Sequence, residues 1–268
     1  MATVYRWELF KLRHQKRTYI GLGAAAIVPL LFVVATHFRH HGPSDVPFGS
    51  YITRSGLAIP LVILLFGAVW MFPLITALVA GDIIASEDHN GTLKTIFTRS
   101  LERGQIFAGK ALATATYAVT AIFITGTVAV VAGSIQSGFN PLQSLSGTTV
   151  SAPKALELVY ASLLVYLIPI AAIVCIGLLL SAITRNSAAA VVGTLMFSLL
   201  MQLIGILPGL TGLQPYLLST QFNAWQGLLR TPIDWAPIIR AAWVCALYGV
   251  PALGAAFLVF LRRDVAGG

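Results

Sequence analysis

Gly56-Leu57-Ala58-Ile59-Pro60-Leu61-Val62-Ile63-Leu64-Leu65-Phe66-Gly67-Ala68-Val69-Trp70-Met71-Phe72-Pro73-Leu74-Ile75-Thr76-Ala77-Leu78-Val79-Ala80 carries no charged side chain. The chain then turns abruptly polar: Gly81-Asp82-Ile83-Ile84-Ala85-Ser86-Glu87-Asp88-His89-Asn90-Gly91-Thr92-Leu93-Lys94. A helix needs about 20 apolar residues to cross the hydrocarbon core of a bilayer. Residues 56–80 meet that length, and residues 19–36, 111–133, 158–183, 188–208 and 239–261 repeat the pattern. Within these runs charge is confined to the ends, apart from Arg240 just inside the last. With 57% hydrophobic and 10% charged residues and a mean hydropathy of +0.84, the composition is that of a polytopic membrane protein. Lipid leaves backbone polar groups no solvent partner, and uninterrupted apolar runs lack the alternation of a membrane barrel. The fold class is therefore all-α, with six transmembrane helices.

The net charge of +8 has a membrane explanation before a nucleic-acid one. With the N-terminus inside, twelve Lys and Arg fall on the cytoplasmic side and five outside. The positive-inside rule then makes both termini cytoplasmic and puts segments 37–55, 134–157 and 209–238 outside. The first run is too long for a signal peptide and lacks a convincing cleavage site, so it reads as an uncleaved span. Cys175 and Cys245 sit inside apolar runs and serve packing, not a disulfide framework.

Residues 1–18 place Tyr5, Leu9 and Leu12 on one helical stripe and Arg6, Arg13 and Arg17 on another, the pattern of an interfacial amphipathic helix. Its basic face suits anionic lipid or a protein partner. The outer segment 209–238 is too long and too apolar for a bare connection, and short helices dipping into the outer leaflet would bury it. Trp225, Trp235 and Tyr216 are expected at headgroup depth there. Residues 136–153, rich in Ser, Thr and Gly, read as a flexible external loop.

Several motifs do not survive their context. Residues 104–110 open like a phosphate-binding Walker loop, but Ala111 stands where a Ser or Thr should meet magnesium, and no buried strand precedes Gly104. Leu145-Ser146-Gly147-Thr148 faintly matches an ABC signature peptide in an external loop. Asn90-Gly91-Thr92 is a glycosylation pattern on the cytoplasmic side, and so reads as helix punctuation. His37, His40 and His41 have only a loose spacing for a metal site. Ion-coupled transporters carry ionisable groups at membrane depth; here the interior offers hydroxyls, among them Thr114, Thr116, Thr120 and Thr125, and the amide of Gln202. The energy for any transport would then come from elsewhere.

The polar island has an acidic residue at a helix end, then Glu-x-x-x-Gly-Thr-Leu-Lys, then Arg-x-x-Ile-x-x-x-Lys from Arg103 to Lys110. It resembles the first cytoplasmic loop of ABC-2 type permeases, the membrane halves of bacterial ABC exporters. The N-terminal helix and the external segment before the last span fit the same family. The resemblance implies two parts: residues 1–18 as the interfacial helix and 19–268 as a six-span ABC-2 transmembrane domain. It further implies a cytoplasmic coupling helix within loop 81–110, where Glu87, Gly91, Thr92, Leu93, Lys94, Ile96 and Arg103 dock a separate ATPase. Thr92, Leu93 and Ile96 would enter a groove on that partner while Glu87 and Lys94 set its orientation. Arg6, Arg13 and Arg17 mark the N-terminal helix.

The expected assembly holds two ATP-binding-cassette subunits and a second copy of this permease or a paralogous one, among membrane lipids and without nucleic acid. ATP and magnesium would bind the partner subunit, and this chain would hold no cofactor or metal. The implied function is export of an apolar or amphipathic substrate across the bacterial plasma membrane. The alternatives are an ATPase-independent secondary transporter and, behind it, a membrane-embedded lipid-modifying enzyme using Asp82, Glu87, Asp88 and His89.

Overall fold

The computed structural model describes residues 2–38, 46–89, 102–207, 209–210 and 212–262. Helix α1 spans Ala2–Arg13, and Gln15, with an extended backbone, caps the start of α2, Lys16–His37. The N-terminal amphipathic stretch and the first span are thus separate helices, with Arg17 belonging to the second. Next come α3 (Ala58–Gly67), α4 (Met71–Ala80) and the short α5 (Ala85–His89). The long α6 (Arg103–Ser137) and α7 (Ala152–Thr184) follow, then α8 (Ser187–Ile206). After the outer segment, α10 (Ala236–Leu261) completes the bundle, with α9 (Leu218–Gln221) before it.

Five of these helices are long and apolar enough to cross a membrane, and α3 with the helical stretch that begins at Met71, bent by 62° from it, counts as a sixth when the pair is taken as one span. The bend falls between Gly67 and Met71, within the apolar run 56–80 that reads from the sequence as one span and just before Pro73, a residue able to kink it. Two local features stabilise the break. Gln202 on α8 donates its amide to the Ala68 carbonyl at 3.0 Å, supplying a partner where the helix ends. Pro73 sits in the first turn of α4, where its missing N–H costs no intrahelical bond.

Helix α7 is the central column, packing on α3, α4, α6, α8 and α10. Of its most apolar window 56% is buried, against 22% for α2 and 17% for α8, whose outer faces are left for lipid. The hydroxyls read as interior polar groups are occupied within the bundle. Thr114, Thr116 and Thr120 each donate to the carbonyl four residues back, and Thr125 bonds both Ala121 and, across to α2, Ala25.

The end of the bundle expected to face outward differs from expectation in two places. Residues 136–153 are ordered: α6 continues to Ser137, and β1 (Leu142–Gln143) pairs antiparallel with β2 (Thr149–Val150). The hairpin is tied to the segment before α10 by Leu145 N–H to Leu229 O at 2.8 Å and Thr231 N–H to Ser146 Oγ at 3.0 Å. Polar composition alone suggested a loose loop, but these cross-bonds connect residues some 85 positions apart. The outer segment does form short helices, at Gln214–Tyr216, α9 and Ala224–Leu229. Tyr216 and Trp235 are exposed there, whereas Trp225 is wholly buried beside Phe48, filling the core beneath the segment.

Candidate coupling site

The site begins with the face that α1 buries. Val4, Glu8 and Leu12 lie at helical spacing and point inward. Tyr5 and Leu9 pack at the edge of the core, and Arg6, Trp7, Phe10 and Arg13 face outward. Gly109 on α6 lets the two helices meet closely, since a Cβ there would lie 2.7 Å from Val4 Cγ1. A carboxylate in an apolar stripe is costly unless it finds a cation, and Glu8 finds two. Its Oε1 lies 3.1 Å from Lys110 Nζ and 3.1 Å from Lys11 Nζ.

Lys110 is fully buried. Its ammonium contacts Glu8 on α1, Glu87 Oε2 on α5 at 2.6 Å, and the Ile83 carbonyl at 3.3 Å. Lys11 closes the ring by pairing with Glu87 as well. A second pair lies alongside: Arg17 at the start of α2 binds Asp82, which also accepts from the Ser187 hydroxyl at the start of α8. Arg17 lies in the field of Glu87, so the two groups of charges adjoin. Among the described residues, Glu8, Asp82 and Glu87 are thus balanced by Lys11, Arg17 and Lys110. Burial by itself would push the Glu87 carboxyl up, but Lys110 and Lys11 outweigh it and hold it below its ordinary range. Burial would likewise lower Lys11, and Glu87 and Glu8 reverse that, leaving its ammonium harder to deprotonate than usual.

The backbone of the same segment is pinned to α7. Ser181 Oγ accepts from the amides of Ile84 and Ala85, at 3.2 and 3.0 Å, satisfying donors at the start of α5. Further out, Asp88 pairs with Arg185 at 3.7 Å. At the start of α6, Arg103 donates to the Leu261 carbonyl at 2.7 Å and so ties that end of α6 to the end of α10.

The sequence-derived site residues therefore divide. Glu87, Arg17 and Arg103 are engaged inside the chain, while Arg6 and Arg13 are exposed on α1. Gly91, Thr92, Leu93, Lys94 and Ile96 lie outside the described residues, as do His40, His41 and the Asn90-Gly91-Thr92 pattern. Among the described residues no group of His, Cys, Asp or Glu is arranged to hold a metal. The Walker-like stretch 104–110 is helical, and its lysine is committed to Glu8 and Glu87. Glu8, Lys11, Asp82, Lys110 and Ser187 were not recognisable as a group from the sequence. One signal was available: Glu8 interrupts the apolar stripe of α1, and such an acid needs a partner.

Residues 5–202 match the model of a protein family described as ABC-2 family transporter protein. The chain belongs to the ABC-2 transporter family. No curated protein matches it. The match covers most of the N-terminal helix, the charge cluster, the first four spans and most of the fifth, the same region in which the loop resemblance lies. As an ABC-2 permease it is a membrane subunit of a transporter and not itself the catalyst, and the family implies partnership with ATPase subunits.

Proposed function

We propose that this permease is half of the translocation unit of an ATP-driven exporter, moving an apolar or amphipathic substrate out of the cytoplasm across the bacterial plasma membrane. Two ATP-binding-cassette subunits, carrying ATP and magnesium, dock on loop 81–110 through Thr92, Leu93 and Ile96, with Lys94 setting the orientation. A second permease, identical or paralogous, completes the pore. The observation that carries this reading is how the loop is rooted. Its first turn is fastened by Ser181, Lys11 and Lys110 to three helices at once, so a push on the loop is delivered to the bundle instead of being absorbed by slack. Apolar loop residues would supply contact energy and charges the register.

The reading is tested by gentle detergent purification of the tagged chain from its native membrane. An ATPase with vanadate-sensitive activity should co-purify and be lost on Leu93→Asp with Ile96→Asp, while the variant still inserts. A chain that purifies alone and transports in ATP-depleted vesicles under an ion gradient would favour a secondary transporter.

A further inference from the structure

We propose that Lys110 is the positioning residue through which the loop and the N-terminal helix move the third span, α6. This deepens the exporter reading above and rests on it. The loop and α1 approach α6 from different parts of the chain, and both end on the same ammonium: Glu87 at 2.6 Å and Glu8 at 3.1 Å. Lys11, on α1 itself, joins the two carboxylates from the other side, so α1 and α5 are linked with or without Lys110. What Lys110 adds, beside the Tyr5–Thr116 hydrogen bond at 2.8 Å and the close approach of Val4 to Gly109 that already hold α1 to α6, is a buried ionic link that ties both α1 and α5 to α6 at one point. From there α6 runs unbroken to Ser137, which makes it a rigid rod from the charge cluster to the opposite face of the bundle.

Removing Lys110 alone would leave two carboxylates facing one lysine, and the fold itself could suffer. The informative variant is Glu8→Gln with Lys110→Met, which removes one charge of each sign and leaves Lys11–Glu87 and Arg17–Asp82 intact. Wild type and this variant, each purified with its ATPase, are compared by hydrogen–deuterium exchange with and without vanadate-trapped nucleotide. In wild type, trapping should alter exchange both in loop peptides within 81–89 and at the outer end of α6, residues 130–138. In the variant the loop response should persist and the outer response should be lost, with the thermal midpoint near that of wild type. An outer response equal to wild type overturns the role of Lys110 and leaves the exporter reading standing. A wild-type loop that ignores trapped nucleotide overturns both.

Discussion

A fully buried lysine is tolerated at position 110 because Glu8 and Glu87 reach it together, and each of those acids is buried too. Breaking such a set from one side is far worse than deleting a balanced pair, because it strands a charge away from water. Lys110→Met alone should therefore cost about 3–5 kcal/mol, read as a large fall in thermal midpoint, whereas Glu8→Gln with Lys110→Met should fall much less. Equal losses would mean the ammonium is valued only for its packing. The same cluster sets a pH response. Glu87 is held below its ordinary value of 4.5, so its contribution is complete above that pH and is lost as pH falls through the lowered value. Lys11 is raised above 10.5, so its contribution is complete below that pH and vanishes as pH climbs past the raised value. Acid should therefore loosen α1 from the loop through Glu87. Thermal unfolding followed downward from pH 4.5 should show a steeper loss for wild type than for Glu87→Gln, and parallel slopes would remove Glu87 from that role.

At the scale of elements, close approach decides where the helices can sit. Gly56, just before α3, and Gly133 on α6 meet backbone to backbone: a Cβ on Gly133 would fall 2.5 Å from the Gly56 carbonyl oxygen. Backbone cannot step aside as a flexible side chain can, so Gly133→Ala should destabilise by about 1–3 kcal/mol. Gly254→Ala on α10, where nothing lies within 4 Å, should be neutral or slightly stabilising. A matching loss at both sites would show that helix propensity, not contact, governs. Existence and rough extent of the spans were legible because hydropathy is a local property: the run 239–261 becomes Ala236–Leu261, and 188–208 becomes Ser187–Ile206. The bend in the second span was only partly legible: Pro73 is able to kink a helix at the turn before it, but Ala68, Val69 and Trp70 are as apolar as their neighbours and the amide that caps the break comes from Gln202, over 130 residues away. The charge cluster was half legible. Glu87 stood out in the polar island, but its partners Lys11 and Lys110 come from other helices, and the face that α1 buries is Val4, Glu8 and Leu12, which shares only Leu12 with the stripe of Tyr5, Leu9 and Leu12.

For the whole molecule, packing and charge answer different questions about orientation. Packing brings the loop, α1 and the end of α10 to one end of the bundle, through Lys110 with Glu8 at one point and Arg103 with Leu261 at another. Ser137, the β1–β2 hairpin and the short helices before α10 then occupy the opposite end. That arrangement holds whichever way the bundle is inserted. Charge selects the direction: in the sequence, twelve of the seventeen Lys and Arg residues fall in the segments assigned to the loop's side of the membrane, which favours its retention in the cytoplasm. Lys154, exposed at the start of α7 beside Glu157, and Arg13, exposed at the end of α1, therefore lie on opposite sides of the membrane. In a background with Cys175→Ala and Cys245→Ala, Lys154→Cys should react with a membrane-impermeant maleimide in intact cells, and Arg13→Cys only after permeabilisation. The reverse pattern would place the loop outside, where no ATP-hydrolysing partner could reach it, and the exporter reading would fall with the orientation.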